Sequence, residues 1–349
     1  AYKKIVEAIR TADSSSHYIY ILGWMLDSNF EMVPGDPGST FYNLLSKANE
    51  RGVEIRILIW NNFFYKDEIA AAIDKINKLP NALLIRDGYT YGSPGLKNAI
   101  SRIRYLINSA PMALNLLDSW KDFKEKVNII QNEGSHHEKV VVVKGREGLI
   151  AFCGGIDINP DRVWKIESGK SVVLHDVHCM VKGYAAYVLL HRFKWRWQVL
   201  KESLYWMPLL INCINEPVPS AISGSGSAHV KILQTYNHPS KYIKDRTIRE
   251  TVRIAIANAR TSIHFEDQYM ISLEIASWVN AKLKEPGFQK VTILTQDDSY
   301  AKPDIQFPKD MRKKFIDYLC SGLTPDQIRS KVFIQMLHPD TPALSHHKV

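Results

Sequence analysis

An internal repeat constrains the fold of this chain more than any other feature of its sequence. Near the start, Tyr2, Ile5, Val6 and Ile9 recur at helical spacing, and after a polar break Tyr18-Ile19-Tyr20-Ile21-Leu22 predicts a buried strand. Residues Thr247 to Ile271 repeat that order: Ile248, Val252, Ile254 and Ala255 at helical spacing, a break at Asn258-Ala259-Arg260-Thr261, then a strand at Ile263-His264-Phe265. A second apolar strand follows each copy, Val53 to Ile59 in the first and Val291 to Leu294 in the second, and later a His-x-Lys triplet. Strands alternating with helices imply an α/β fold of two lobes, each with a central sheet flanked by helices. At 349 residues the chain is long enough for each lobe to bury its own core.

The Pro, Gly and Ser content between Glu216 and Ser227 places the lobe boundary there. The expected organisation is an N-terminal lobe over 1–215, a linker over 216–228 and a C-terminal lobe over 229–349. The stretch 96–132 is helical in pattern, has no counterpart in the second half, and reads as an insertion shaping the entrance to a site; passive packing fits the same pattern. The chain opens without Met and stops in what reads as the start of a strand, so natural sequence, with any targeting signal, is expected beyond both ends.

Lys plus Arg exceeds Asp plus Glu by nine, which favours anionic partners such as phospholipid head groups or nucleic acid without choosing between them. Cys153, Cys179, Cys213 and Cys320 form no CxxC pair, so neither a zinc knuckle nor a disulfide framework is expected, and they read as buried thiols. No apolar run approaches the ~20 residues of a membrane-spanning helix. Trp195, Trp197, Tyr205, Trp206 and Met207, flanked by Lys194, Arg196 and Lys201, fit either an interfacial lipid-contacting patch or, the stronger reading, a helix packed on a sheet. His17, His191, His229, His238 and His338 lack ligand spacing and read as structural or surface residues.

His136-His137-Glu138-Lys139 runs into the β-branched stretch Val140 to Val143, a turn at Gly145 to Gly148, and Leu149 to Gly155, which predicts a hairpin. Alternation on its first strand puts His137 and Lys139 on one face. One such triplet carries almost no information, but His346-His347-Lys348 repeats the spacing where the internal repeat calls for it. Two imidazoles and two ammoniums supply what phosphodiester cleavage needs: a nucleophile, a proton donor for the leaving oxygen, and positive charge on the phosphoryl oxygens. The scheme calls for no metal and no cofactor.

These segments resemble a known family. His136 to Val143, then Gly154-Gly155-Ile156-Asp157-Ile158, then His175-Asp176-Val177-His178-Cys179 with Gly183, Ala185 and Ala186, and Phe193 to Trp197 look like the first lobe of phospholipase D superfamily enzymes, over about sixty residues in order. In the second half, Ile263 to Ile271 is similar to that family's IxIENQYFI segment, and His346 with Lys348 fits its second triplet. The resemblance implies two phospholipase D-like lobes, each a mixed β-sheet flanked by helices, related by a pseudo-twofold with one active site at their seam. It implies His137 as the nucleophile of a phosphohistidine intermediate, His346 as the acid and then the base, Lys139 and Lys348 as phosphate ligands, and Asp176 as a carboxylate orienting the opposite lobe's His. Glu266 and Gln268 would line the pocket, with Asp157 and Asn159 near the phosphate. One position departs: four residues after the triplet the family has Asp, and this chain has Lys144.

The function these features favour is hydrolysis of the distal phosphodiester of a glycerophospholipid to phosphatidate and a head group, at a membrane surface with peripheral contact. Within the superfamily the alternatives are a nuclease, disfavoured by the chain length and unequal lobes, and a phosphatidyl transferase of the cardiolipin or phosphatidylserine synthase kind. From another class, Lys144 motivates a catalytically silent relative that binds anionic phosphates. The expected setting is a secreted or delivered bacterial effector or toxin without a membrane-spanning helix.

Overall fold

The computed structural model describes residues 1–60, 66–87, 136–160, 173–203, 213–217, 226, 228–237, 244–296, 307–336 and 343–345. They divide into two compact units, one within Ala1–Pro160, His178–Ile232 and Asn237–Ile243, the other within Asp161–Val177, Leu233–Tyr236 and Lys244–Val349.

The first unit runs α1 (Tyr2–Arg10), β1 (Tyr18–Gly23), α2 (Phe41–Glu50), β2 (Glu54–Trp60), α3 (Lys66–Ile76), β3 (Ala82–Asp87), β4 (Val140–Gly145) and β5 (Gly148–Gly154). After β6 (Val173–His175), which lies in the other unit, the chain returns as β7 (His178–Lys182) and α4 (Gly183–Ser203). The six strands order as β3-β2-β1-β4-β5-β7, with β1, β2 and β3 parallel and β4, β5 and β7 antiparallel to their neighbours. This is a mixed sheet flanked by helices. Every residue of β1 is buried, because both faces of the sheet are covered. On one face Tyr18, Tyr20, Leu22, Val140 and Val142 pack against Leu190, Phe193 and Trp197 of α4. Their rings form a column, with centroids 4.4 Å apart for Tyr18–Tyr20, 4.8 Å for Tyr20–Phe193 and 5.9 Å for Phe193–Trp197. On the other, α1 lies against β4 and α2 against β2, burying Ile5, Ile9, Leu44 and Leu45. The predicted β4–β5 hairpin forms, and its turn presses on the end of α1. Arg146 donates its amide to Thr11 at 3.0 Å, and a side chain at Gly145 would come within 2.0 Å of the Thr11 hydroxyl.

The second unit contains β8 (Thr235–Asn237), β9 (Lys244–Arg246), α5 (Thr247–Asn258), β10 (Ser262–Asp267), α6 (Leu273–Leu283), β11 (Lys290–Thr295), α7 (Phe307–Cys320), α8 (Pro325–Lys331), β12 (Val332–Met336) and β13 (Ala343–Ser345). Strands β10, β11 and β12 form a parallel sheet, and β13 pairs in parallel with β6, Ser345 opposite His175. Ile256 of α5, Ala276, Val279 and Leu283 of α6, and Phe315 and Leu319 of α7 pack with Val291 and Ile293 on one face. The other row of the sheet, His264, Thr292 and Phe333, is exposed or half-buried. Helix starts are set locally: Ser272 accepts the Ile275 amide, and Thr324 with Gln327 makes a reciprocal capping box.

One expectation changes and another holds in part. None of the four cysteines is fully buried: Cys179, on the edge strand β7, is exposed and the other three are half-buried. Trp197 and Arg196 face inward, Trp197 into the aromatic column and Arg196 into buried ion pairs, so the packed-helix reading holds for this part of the aromatic stretch. The proposed insertion over 96–132 and the residues Tyr205 to Ile211 lie outside the described residues; of the 216–228 segment, Glu216, Pro217, Gly226 and Ala228 are described. Among the described residues no helix is long and apolar enough to cross a membrane.

Candidate active site

The first His-x-Lys triplet leads straight into β4. Since Val140 and Val142 face α4, alternation turns Lys139 to the opposite side of the sheet. Its side chain is only 3% exposed, and a buried ammonium costs several kcal/mol unless it is paired. Asp157 provides the pair, with Oδ2 3.0 Å from Lys139 Nζ, and the ammonium also donates to the His137 carbonyl at 3.3 Å. Asp157 Oδ1 accepts the amides of Trp24 and Met25 at 3.0 and 3.1 Å, so the carboxylate joins the end of β1 to the start of β4. A side chain at Gly23 would meet Ile59 at 2.8 Å, and its absence lets the chain turn there toward Asp157. The Tyr2 hydroxyl lies 2.7 Å from the Asp157 carbonyl and 2.8 Å from that of Asn159, fastening α1 to the same turn. Asn159 is itself buried.

His137 stands differently. It is exposed, edge-on to the Trp24 ring at 5.1 Å between centroids, while Lys139 Nζ is 5.5 Å from the same ring. One indole therefore touches both members of the triplet. The intervening residues are held from the other side. Asp87, at the end of β3, takes Arg196 Nη2 at 2.6 Å and has His136 Nε2 at 3.6 Å from the same oxygen, and Arg196 also pairs with Glu138. Grip on residues 136 and 138 fixes the alternation that presents 137 and 139 together.

Lys144 has a partner of its own. Its Nζ lies 2.6 Å from Glu216 Oε1, and the other oxygen of Glu216 accepts the Tyr18 hydroxyl at 3.3 Å. The adjoining Ile214 amide bonds to the Tyr20 hydroxyl at 2.9 Å and to Glu54 at 3.1 Å, and Lys194 donates to the Ile214 carbonyl at 3.1 Å. Burial pushes the phenols of Tyr18 and Tyr20 far above their ordinary range, so both remain donors through neutral pH, and it pushes the Cys213 thiol up to about 12.

In the second unit Glu266 lies 3.0 Å from His264 on β10, and Gln268 is buried just beyond that strand. The Gln268 carbonyl accepts from Arg312 Nη2 and from Thr295 Oγ1, each at 3.1 Å, and Arg312 also donates to the carbonyls of Tyr269 at 3.0 Å and Gln296 at 2.7 Å. Asp267 accepts the amides of Tyr269 and Met270, and Met270 takes a positive φ of 46° in the bend. Asp176 follows β6 and accepts the Val177 amide at 2.8 Å.

His137, Lys139, Asp157 and Asn159 are thus brought together in the first unit, Glu266 and Gln268 sit at the end of β10, and Asp176 follows β6. His346 and Lys348 lie outside the described residues. Sequence reasoning passed over Trp24, Asp87 and Arg312, and took Tyr2 for a residue of the first helix face, Glu216 for the start of a linker and Arg196 for a flank of an aromatic patch. Asp87 and Trp24 did carry a signal, as polar or aromatic residues closing apolar strand runs.

No family model matches the chain. Among curated proteins it is similar to phospholipase D alpha 4 of Arabidopsis thaliana, 22% identical over 315 residues that cover 76% of this chain and 37% of the relative. Phospholipase D delta of the same plant is 25% identical over 56% of this chain and 26% of the relative. Phospholipase D alpha 1 of Oryza sativa subsp. japonica is 23% identical over 79% of this chain and 39% of the relative. These likenesses support membership of the phospholipase D superfamily. The chain spans about a quarter to two-fifths of the length of the curated relatives it matches.

Proposed function

We propose that this chain is the core of a phospholipase D-like phosphodiesterase that cleaves the distal phosphodiester of a glycerophospholipid through a phosphohistidine. The observation that carries the reading is the pairing at the head of β4: an exposed imidazole at His137 beside an ammonium at Lys139 whose charge is already compensated by Asp157.

In this reading His137 attacks phosphorus, a P–N bond forms, and the head-group oxygen leaves with a proton from His346. His346 then takes a proton from water, which attacks phosphorus, breaks the P–N bond and releases phosphatidate. Lys139 and Lys348 stabilise the charge that develops on the phosphoryl oxygens. Asp157 holds the Lys139 ammonium when no phosphate is present. Asp176 orients His346. Asn159, Glu266 and Gln268 belong to the substrate-binding surroundings, and the two halves act as phospholipase D-like lobes on one phosphate. The partner is phospholipid at a membrane surface.

Lys144 does not argue for a silent relative. It is turned to the α4 side of the sheet, away from Lys139, and its charge is met by Glu216. The test is turnover by the full-length protein on phosphatidylethanolamine vesicles against plasmid DNA, each with and without chelator. Release of ethanolamine and phosphatidate with intact plasmid is expected in both conditions; plasmid cleavage without lipid turnover would overturn the lipid reading, and loss with chelator reversed by a divalent ion would overturn the mechanism.

A further inference from the structure

The two-strand ladder that flanks the site carries a chemistry the phosphodiesterase reading does not use. Cys153 on β5 and Cys179 on β7 are directly opposite each other in the antiparallel register. Directly opposed residues of such a pair have Cβ atoms ~4.5–5.5 Å apart, and a disulfide needs ~3.5–4.5 Å. A closure of ~1 Å therefore suffices, and the bond it makes is a strained one that is readily reduced. The other two thiols have no such arrangement: Cys213 lies beside Glu54 and Tyr20 in the first unit, and Cys320 ends α7 in the second.

We propose that Cys153 and Cys179 form a reversible thiol–disulfide pair, a redox modification site on the sheet that carries the His137 triplet. The two cysteines have complementary roles. Cys179 is exposed on an edge strand and open to a soluble disulfide such as glutathione disulfide. Its thiolate attacks one sulfur of the oxidant, breaks that S–S bond, releases one glutathione thiolate and leaves a mixed disulfide. Cys153 is half-buried on β5, and burial, with the neighbouring Cys179 adding to it, raises its thiol above the ordinary range, which suits the slower, resolving partner. The Cys153 sulfur then attacks Cys179, the second glutathione leaves as thiolate, and the two cysteine protons pass to the departing thiolates. Two protein thiols and one glutathione disulfide become one cystine and two glutathiones.

The location gives the bond a reach beyond its own rung. Cys153 stands opposite Val140, the first residue of β4, and precedes Gly154, whose amide donates to the Lys139 carbonyl at 3.4 Å. On the other strand Cys179 follows His178, whose Nδ1 accepts the Ile156 amide at 3.4 Å. The cystine would fasten both supports of the turn that leads to Asp157.

The inference is independent of the proposed reaction, since its test reads covalent structure. The full-length protein is exposed to glutathione disulfide, quenched with iodoacetamide and mapped by peptide mass spectrometry. The expected product is a linked 153–179 peptide, two hydrogens lighter than the reduced pair, with Cys213 and Cys320 alkylated, and Cys179→Ser should restore full alkylation of Cys153. Persistent glutathione on Cys179 with Cys153 still alkylated would overturn the proposal, as would oxidation of Cys153 unchanged in the Cys179→Ser protein. Cys213→Ser is expected to leave the linked peptide in place.

Discussion

The parallel strands of the first unit and those of the second are written in different kinds of sequence, although each set follows a helix. β1 reads YIYILG and is buried throughout; β10 reads SIHFED and exposes every other residue over its first half. The first pattern belongs to a sheet covered on both faces, the second to a sheet whose described helices pack on one. The charges differ in the same way. In the first unit Lys139, Asp157, Asp87 and Arg196 are buried and answered by one another, whereas in the second the buried Arg312 is answered by backbone carbonyls and Glu266 and His264 form a pair at the surface. Each unit satisfies the charge it buries, and the open row of the one-sided sheet leaves further charge to water.

That contrast can be broken most directly by matched truncations. Phe193→Ala, in the α4 layer, should cost about 3–5 kcal/mol of unfolding free energy, and Phe333→Ala, on the open row of the second sheet, less than about 0.5 kcal/mol; equal losses in urea titrations would mean that both sheets are covered alike. Next in size is Asp157→Ala, which strands the Lys139 ammonium and should cost about 3 kcal/mol. Adding Lys139→Met should recover most of that stability, while Glu266→Gln, breaking a solvated pair, should cost about 0–1 kcal/mol. Lys144→Asp comes third: beside Glu216 it replaces a partly solvated attraction with a repulsion, for a loss of about 1 kcal/mol, and the reversed pair Lys144→Glu with Glu216→Lys should return it. Smallest for stability is His137→Ala, within about 0.5 kcal/mol, yet it should abolish the acid-quenched phosphoryl enzyme. Label mapped to His346 in the wild type would exchange the roles of the two histidines.

Local pattern made much of this legible. Continuous apolar runs announced β1 and β2, the β-branched run and its glycine turn announced the hairpin, and the i, i+2 spacing put His137 and Lys139 on one side. Asp157 and Asn159 were legible as neighbours of the double glycine, though the resemblance implied a place near phosphate for them and the fold pairs the Asp157 carboxylate with Lys139. What escaped was pairing across long stretches of chain. Arg196 meets Asp87 across 109 positions and Lys144 meets Glu216 across 72, and nothing in a periodic pattern links such partners. The cysteines escaped for a related reason: Cys153 and Cys179 become neighbours only through the register of β5 and β7.

The contact between Trp24 and His137 has an optical consequence. An excited indole loses its electron readily to an adjacent imidazolium and less readily to a neutral imidazole, so a ring 5.1 Å from His137 emits according to the charge of that imidazole. Trp24 also stacks on Trp60 at 5.8 Å with planes 12° apart. The protein thus carries a built-in reporter: Trp24 emission should brighten as His137 loses its proton, and change again when phosphorus occupies the ring nitrogen. Stopped-flow fluorescence, with Trp24→Phe as the control that keeps the other seven tryptophans and lacks this signal, would then follow formation and decay of the intermediate without any label.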